Sequence, residues 1–97
     1  MARFTTRVEL HGAQEDHYVI LHEEMENEGF RRYVIDTNSI KYALPTAEYD
    51  KEGDYKVSEV KNSANKAAKK TGKSFSILVT KSDGSRDWEN LNRWDDR

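Results

Sequence analysis

Cysteine is absent from this sequence, and proline occurs only once. Without cysteine the chain can form neither a disulfide framework nor a thiolate metal site, which fits a reducing compartment. No apolar run approaches the roughly 18 residues that a membrane span needs, and no signal peptide precedes the first patterned segment. These absences predict a soluble, cytoplasmic protein with no membrane partner.

A marked excess of one charge is also lacking, because 16 lysines and arginines face 18 aspartates and glutamates, for a net charge of −2. This balance argues against strong non-specific nucleic-acid binding by the whole molecule, but it leaves room for a local basic patch. The 97 residues suffice for one domain. Because hydrophobic and charged residues each make up 35% of the chain, we expect one sheet face to be solvated or covered by a partner.

The segment Arg3–Leu10 alternates between two faces without interruption, which predicts a half-buried strand. Its apolar side carries Phe4, Val8 and Leu10, with Thr6 between them. Its charged side carries Arg3, Thr5, Arg7 and Glu9.

Two helices are predicted from apolar residues at helical spacing. Tyr18, Leu21 and Met25 mark the first helix, and Gly29 suits its C′ position, with Phe30 as the hydrophobic partner of that cap. The second helix has Asp54 or Ser58 as its N-cap and ends at Gly72. Its apolar positions are Val57, Val60, Ala64, Ala67 and Ala68.

Extended runs at 31–36 and 40–44 flank a Thr-Asn-Ser turn and predict a hairpin. Regular pairing should break near Pro45, which lacks an N–H group, and 50–54 is predicted to be a polar loop. A last strand covers 74–80 and a turn follows at 82–85, including Asp83 and Gly84.

The order strand-helix-strand-strand-helix-strand predicts an α+β, ferredoxin-like βαββαβ fold. Right-handed crossovers place both helices on one face of a four-stranded antiparallel sheet. We expect a ferredoxin-like domain over 1–84 and a C-terminal tail over 85–97. The predicted core consists of Phe4, Val8, Leu10, Tyr18, Leu21, Met25, Val60, Ala64, Ala67, Phe75, Ile77 and Val79.

The histidines His11, His17 and His22 show no dense ligand spacing, so neither a metal site nor a cofactor is predicted. His11 is the most interesting of the three, because it lies at the exit of a strand, where functional loops begin. Arg3 and Arg7 project from the same strand face and could hold phosphates. The competing interpretation is a solvated face with cross-strand ion pairs.

Several stretches resemble the small bacterial and phage-borne domains grouped with the GhoS-type antitoxins. They are Arg3-Phe-Thr-Thr-Arg-Val-Glu-Leu-His-Gly, Leu21-His-Glu-Glu-Met with Glu28-Gly-Phe, Leu44-Pro-Thr-Ala-Glu-Tyr, and Ala67-Ala with Thr71-Gly-Lys and Phe75-Ser-Ile-Leu-Val-Thr. The resemblance spans Arg3 to about Thr80. It implies a ferredoxin-like fold akin to CRISPR-associated small endoribonucleases, and sequence-preferring cleavage of a toxin messenger RNA as one of the activities open to such a domain.

On this hypothesis the expected partner is RNA. Its phosphates would contact Arg3, Arg7, Arg31 and Arg32, and Glu9 or His11 would carry out general acid–base chemistry at the strand exit. The alternative is a non-enzymatic module that binds a protein, such as a phage-encoded inhibitor of a bacterial protein. No catalytic signature in the sequence decides between the two.

A homodimer is also expected, with an interface formed by Leu78, Trp88, Leu91 and Trp94. Leu78 projects from the last strand opposite the core side, and an apolar group on an open face favours a partner. In a two-fold dimer the tail would cover the sheet of the other subunit. In the competing arrangement the tail folds back over its own sheet.

Overall fold

Five strands and two helices occur in residues 2–82 and 85–95, the part of the chain that the computed structural model describes. The predicted turn residues Asp83 and Gly84 lie outside this part. The elements are β1 (Arg3–Leu10), α1 (Glu15–Asn27), β2 (Tyr33–Ile35), β3 (Lys41–Ala43), β4 (Glu48–Glu52), α2 (Val57–Lys69) and β5 (Phe75–Ser82).

The main sheet is antiparallel, has three strands and places β1 in the centre, with the order β4-β1-β5. β1 pairs with β5 along its whole length, from Arg3 opposite Ser82 to Leu10 opposite Phe75. β2 and β3 form a separate two-stranded hairpin. One bridge joins that hairpin to β4, because the backbone groups of Arg31 and Asp50 exchange two hydrogen bonds of 2.7 Å.

The structure therefore confirms an α+β domain with two helices and a small antiparallel sheet, but it does not form the predicted continuous four-stranded sheet. The hairpin prediction is confirmed, and β3 ends before Pro45. The prediction of a polar loop at 50–54 was wrong for 50–52, because these residues belong to β4 and pair with β1, whereas 53 and 54 lie outside the strand. In a ferredoxin-like sheet the third strand is central, so the run at 40–44 was expected in the middle of the sheet, but it forms β3 of the separate hairpin.

β4 was not predicted, because its sequence, Glu-Tyr-Asp-Lys-Glu, is mostly charged. In the fold these charged side chains contact other groups. The Lys51 ammonium donates to the backbone carbonyl of Glu28 at 2.6 Å and lies 5.0 Å and 4.9 Å from the ring centroids of Phe30 and Tyr55. Burial lowers the pKa of Lys51, and the Glu28 carboxylate opposes that shift. A lysine placed in this way can occupy a buried strand.

The caps of α1 explain two residues singled out in the sequence. The His17 ring accepts a hydrogen bond from the backbone N–H of Gln14 at 3.0 Å, so it closes the helix start. At the other end the N–H of Phe30 donates to the carbonyl of Met25, and Gly29 has a φ of +88°. This is the predicted glycine cap with its hydrophobic partner. For α2 the predicted N-caps were wrong, because Lys56 occupies that position.

The core lies between the helices and the apolar face of β1. Of the predicted members, Tyr18, Phe75, Ile77 and Val79 are only partly buried and pack against its edge. Tyr49 of β4 is the largest fully buried side chain, and it was missed together with the strand that carries it. The predicted members found buried are Phe4, Val8, Leu10, Leu21, Met25, Val60, Ala64 and Ala67.

Neither α1 nor α2, the two helices of the described residues, has the length and apolarity that a membrane-spanning helix requires.

The described part of the tail, 85–95, runs to the outer edge of β3. The N–H of Ala43 donates to the carbonyl of Asn92 at 2.8 Å, and the N–H of Trp94 donates to the carbonyl of Lys41 at 3.0 Å. The tail therefore extends the hairpin of its own chain by one short segment.

Candidate functional site

The charged face of β1 brings the two predicted acid–base residues together. Glu9 and His11 are two residues apart and follow Arg7 on the side of the strand away from the helices. The N–H of His11 donates to the carbonyl of Ser74 at 2.9 Å, which continues the ladder with β5 past the end of the strand. His11 Nε2 lies 2.9 Å from Ser76 Oγ, and Ser76 is the cross-strand partner of Glu9.

We call Arg7, Glu9, His11 and Ser76 the open-face cluster. All four are exposed, and three of them line a depression of about 190 Å³ together with Ile77 and Leu78. Ser76 was not among the predicted site residues. Its position on the solvent side of the alternating last strand is the sequence signal that could have identified it.

Two of the four predicted phosphate-binding arginines are engaged by carboxylates. Arg3 lies 3.3 Å from Glu52, and Arg31 lies 2.6 Å from Asp50 and 3.8 Å from Glu52. Of these pairs, Arg3 with Glu52 joins β1 to β4 and is a cross-strand ion pair of the kind that the competing interpretation expected. Arg7 belongs to the open-face cluster, and Arg32 lies in a different part of the molecule.

Asp50 is the centre of a buried ion cluster that the sequence did not reveal. Its side chain is fully buried and accepts hydrogen bonds from Arg31 at 2.6 Å and from Arg86 at 2.8 Å. Burial acts against the charge on Arg31, but the hydrogen bond and the charge of Asp50 outweigh it and raise the pKa of the guanidinium. Because Arg86 belongs to the tail, this cluster attaches the tail to the sheet.

The predicted interface residues of the tail contact their own chain. The ring of Trp88 lies 5.7 Å from that of Tyr42, and the ring of Trp94 lies 5.2 Å from that of Tyr33. Leu91 lines a cavity of about 300 Å³ beside Trp88. Leu78 is separate from this group and is 65% exposed on β5.

A larger cleft of about 590 Å³ lies between α1, the start of β2 and the tail. Arg32 and Trp94 meet there, with the Arg32 guanidinium carbon 6.0 Å from the Trp94 ring centroid. We call it the arginine–aromatic cleft. It is lined by Val19, His22, Glu23, Glu26, Phe30, Arg31, Arg32, Tyr33 and Trp94.

His22 forms part of the floor of this cleft. Its Nδ1 lies 2.7 Å from the hydroxyl of Tyr49. Burial and, to a lesser extent, the positive charge of Arg32 lower the pKa of His22 from 6.5 to about 4, while burial raises the pKa of Tyr49. At neutral pH both groups are therefore uncharged, and they form a neutral hydrogen bond between helix and sheet.

Within the described ranges no three histidine, cysteine or carboxylate side chains form a group that could hold a metal ion. Comparison of the sequence with models of known protein families finds no match, and comparison with curated proteins finds no significant similarity.

Proposed function

We propose that this chain is an endoribonuclease-like antitoxin domain that acts on RNA at the open-face cluster. The observation that carries the proposal is the placement of Arg7 and Glu9 on one exposed face of β1, with His11 just past the end of the strand and its Nε2 2.9 Å from Ser76 Oγ. This arrangement offers a cation for a phosphate and two groups able to transfer protons.

The fold we propose for this function is a modified ferredoxin-like one. If the bridge between Arg31 and Asp50 is counted as a strand pairing, the sheet order becomes β5-β1-β4-β2. In that description β3 is an addition on the outer side of β2, and βαββαβ describes the remaining elements. The resemblance to GhoS-type antitoxins supports the same arrangement.

The spacing of the cluster suits cleavage by the ribose itself. Glu9 is the cross-strand partner of Ser76, and His11 Nε2 lies 2.9 Å from Ser76 Oγ, so Glu9 and His11 can flank one phosphodiester. One group would accept the proton of the 2′-hydroxyl as its oxygen attacks phosphorus, and the other would protonate the departing 5′-oxygen. Arg7 would stabilise the charge that develops on the phosphoryl oxygens. The products would be a 2′,3′-cyclic phosphate and a 5′-hydroxyl.

The test is incubation of the purified protein with mixed RNA, with and without a chelator. Cleavage should persist in the chelator and fall by at least about 100-fold in His11→Ala and Glu9→Gln, the lower end of what a general acid or base contributes. Glu15→Gln, on the exposed first turn of α1, is the matched control and should cleave like the parent chain. Cleavage that survives both cluster substitutions would remove these residues from the mechanism.

The second candidate function, a protein-binding module, is favoured by one observation on β5. Among the described residues no strand pairs with the outer edge of β5, and Leu78 is 65% exposed near its middle. A long, unprotected edge strand is a template for pairing with another chain. We propose a second copy as the partner, joined by antiparallel β5 strands that place the two Leu78 side chains opposite each other.

Light scattering separates this dimer from a monomer, because its mass should be twice 11.3 kDa. Leu78→Lys should shift the mass to that of the monomer, while Lys61→Ala on the exposed side of α2 should leave it unchanged. A parent chain that stays monomeric at all concentrations would contradict the dimer. Absence of RNA cleavage under every condition would favour the protein-binding function over the nuclease.

A further inference from the structure

We propose that the arginine–aromatic cleft is a second ligand site, and that it binds a guanine nucleotide. The cleft is separate from the open-face cluster, because α1 forms one of its walls and α1 packs on the opposite face of the sheet. Its volume of about 590 Å³ lies within the range of pockets that hold small molecules.

The aromatic wall provides a surface for a base. The rings of Tyr33 and Trp94 have centroids 5.2 Å apart and are tilted by 41°, and both side chains remain partly exposed. Stacking of a base on such rings stabilises nucleotide binding without selecting a particular base. Trp94 is held in place by the backbone hydrogen bond from its N–H to the carbonyl of Lys41.

The cation of the site is Arg32, which is partly exposed at the rim beside the Trp94 ring. Its neighbour Arg31 is engaged by Asp50, so Arg32 is the arginine of this cleft that is available to hold a phosphate. A guanidinium can form two parallel hydrogen bonds to phosphate oxygens.

The carboxylates Glu23 and Glu26 on α1 select the base. A carboxylate only accepts hydrogen bonds, so it pairs best with two adjacent donors. Guanine presents such a pair, N1–H and the 2-amino group, whereas adenine and cytosine each present an acceptor beside their amino group. The uncharged His22 ring on the floor adds no competing cation. A guanine nucleotide therefore fits all three parts of the cleft. Its phosphate binds Arg32, its base stacks on the aromatic wall, and its Watson–Crick edge pairs with the carboxylates.

The experiment uses the full chain with Trp88→Phe, which leaves Trp94 as the only tryptophan. Titration with GMP should quench Trp94 fluorescence in a saturable manner. AMP should bind about tenfold more weakly, because it lacks one of the two donors that pair with a carboxylate. The double variant Glu23→Gln/Glu26→Gln should abolish that difference. Arg32→Gln should weaken GMP binding by about tenfold, the effect of losing one charge-assisted hydrogen bond. The matched control is Arg93→Gln, an exposed arginine outside the cleft lining.

A short RNA containing one guanosine, in place of GMP, tells whether the site takes a free nucleotide or a nucleotide within a strand. If the RNA binds more tightly than GMP, the natural ligand of the cleft is a nucleotide within a strand. If GMP binds more tightly, the ligand is a free nucleotide. The proposal is overturned if GMP produces no quenching at millimolar concentration, if AMP and GMP bind equally, or if Arg32→Gln and Arg93→Gln behave alike. Circular dichroism of each variant excludes loss of fold as the cause. The GMP and AMP titrations contain no RNA that could be cleaved, so this site and the nuclease can fail separately.

Discussion

Substitution of Asp50 by asparagine tests the buried ion cluster, because it removes one negative charge and keeps the size of the side chain. The carboxylate is fully buried, while the side chains of Arg31 and Arg86 are 29% and 16% exposed. Removing one partner of a buried ion pair costs about 3–5 kcal/mol. Both arginines retain some contact with water, and Arg31 also lies 3.8 Å from Glu52. We therefore expect a loss at the lower end of that range, about 3 kcal/mol.

Urea denaturation of Asp50→Asn, followed by circular dichroism and by tryptophan fluorescence, measures this loss. In thermal melts a domain of this size loses about 4–8 °C of melting temperature per kcal/mol, so the melting temperature of Asp50→Asn should fall by about 12 °C or more. Because Arg86 attaches the tail, Trp88 fluorescence should also shift to longer wavelength. In Arg86→Met the further substitution Asp50→Asn should cost markedly less than in the parent chain. A loss below about 1 kcal/mol, or equal losses in the two backgrounds, would refute the cluster as described.

Four further predictions concern stability. Leu21→Ala should cost about 2–5 kcal/mol, because Leu21 is fully buried, and an unchanged melting temperature would contradict its place in the core. Thr6→Val should stabilise the chain by about 1 kcal/mol, because the buried Thr6 hydroxyl has no hydrogen-bond partner in the structure; a lower urea midpoint would contradict this. Gly29→Ala should destabilise the chain by at least about 1 kcal/mol, because φ is +88° and a Cβ would lie 2.7 Å from Lys51 Nζ. An unchanged melting temperature would be inconsistent with the glycine cap of α1. The free energy of unfolding should fall as the pH drops from about 6.5 to about 4, because in this range the unfolded chain protonates His22 and the folded chain does not. His22→Gln should reduce that fall. An equal fall in both proteins would argue against the lowered pKa of His22.

The local elements followed from local sequence. The alternation of Arg3–Leu10 gave the strand and both of its faces, and Gly29 with Phe30 gave the cap of α1, because each depends on neighbours within a few residues. β4 could not be found in this way. The charge of Asp50 is balanced by Arg31, 19 residues before it, and by Arg86, 36 residues after it. A pattern of polarity cannot show that a charged residue will be paired by distant ones.

The same limit applies to the candidate sites. Glu9 lies on β1 and His11 directly follows the end of that strand, so their proximity was predictable, whereas Ser76 reaches them only through the β1–β5 pairing. The arginine–aromatic cleft joins Arg32 near the hairpin to Trp94 of the tail, and only the position of the tail beside β3 brings them together. The sequence suggested the chemistry of these residues but not their association.

The central claim, that RNA binds at the open-face cluster, is tested most directly by NMR chemical-shift mapping. The ligand is an oligonucleotide without guanosine, so that the proposed guanine site is not occupied. Its 2′-hydroxyls are methylated, so that attack by the ribose is blocked while the phosphates remain. We predict that the largest shifts occur at Arg7, Glu9, His11 and Ser76, and that Arg7→Gln weakens them. Shifts confined to α2, or no shifts at all, would contradict the account.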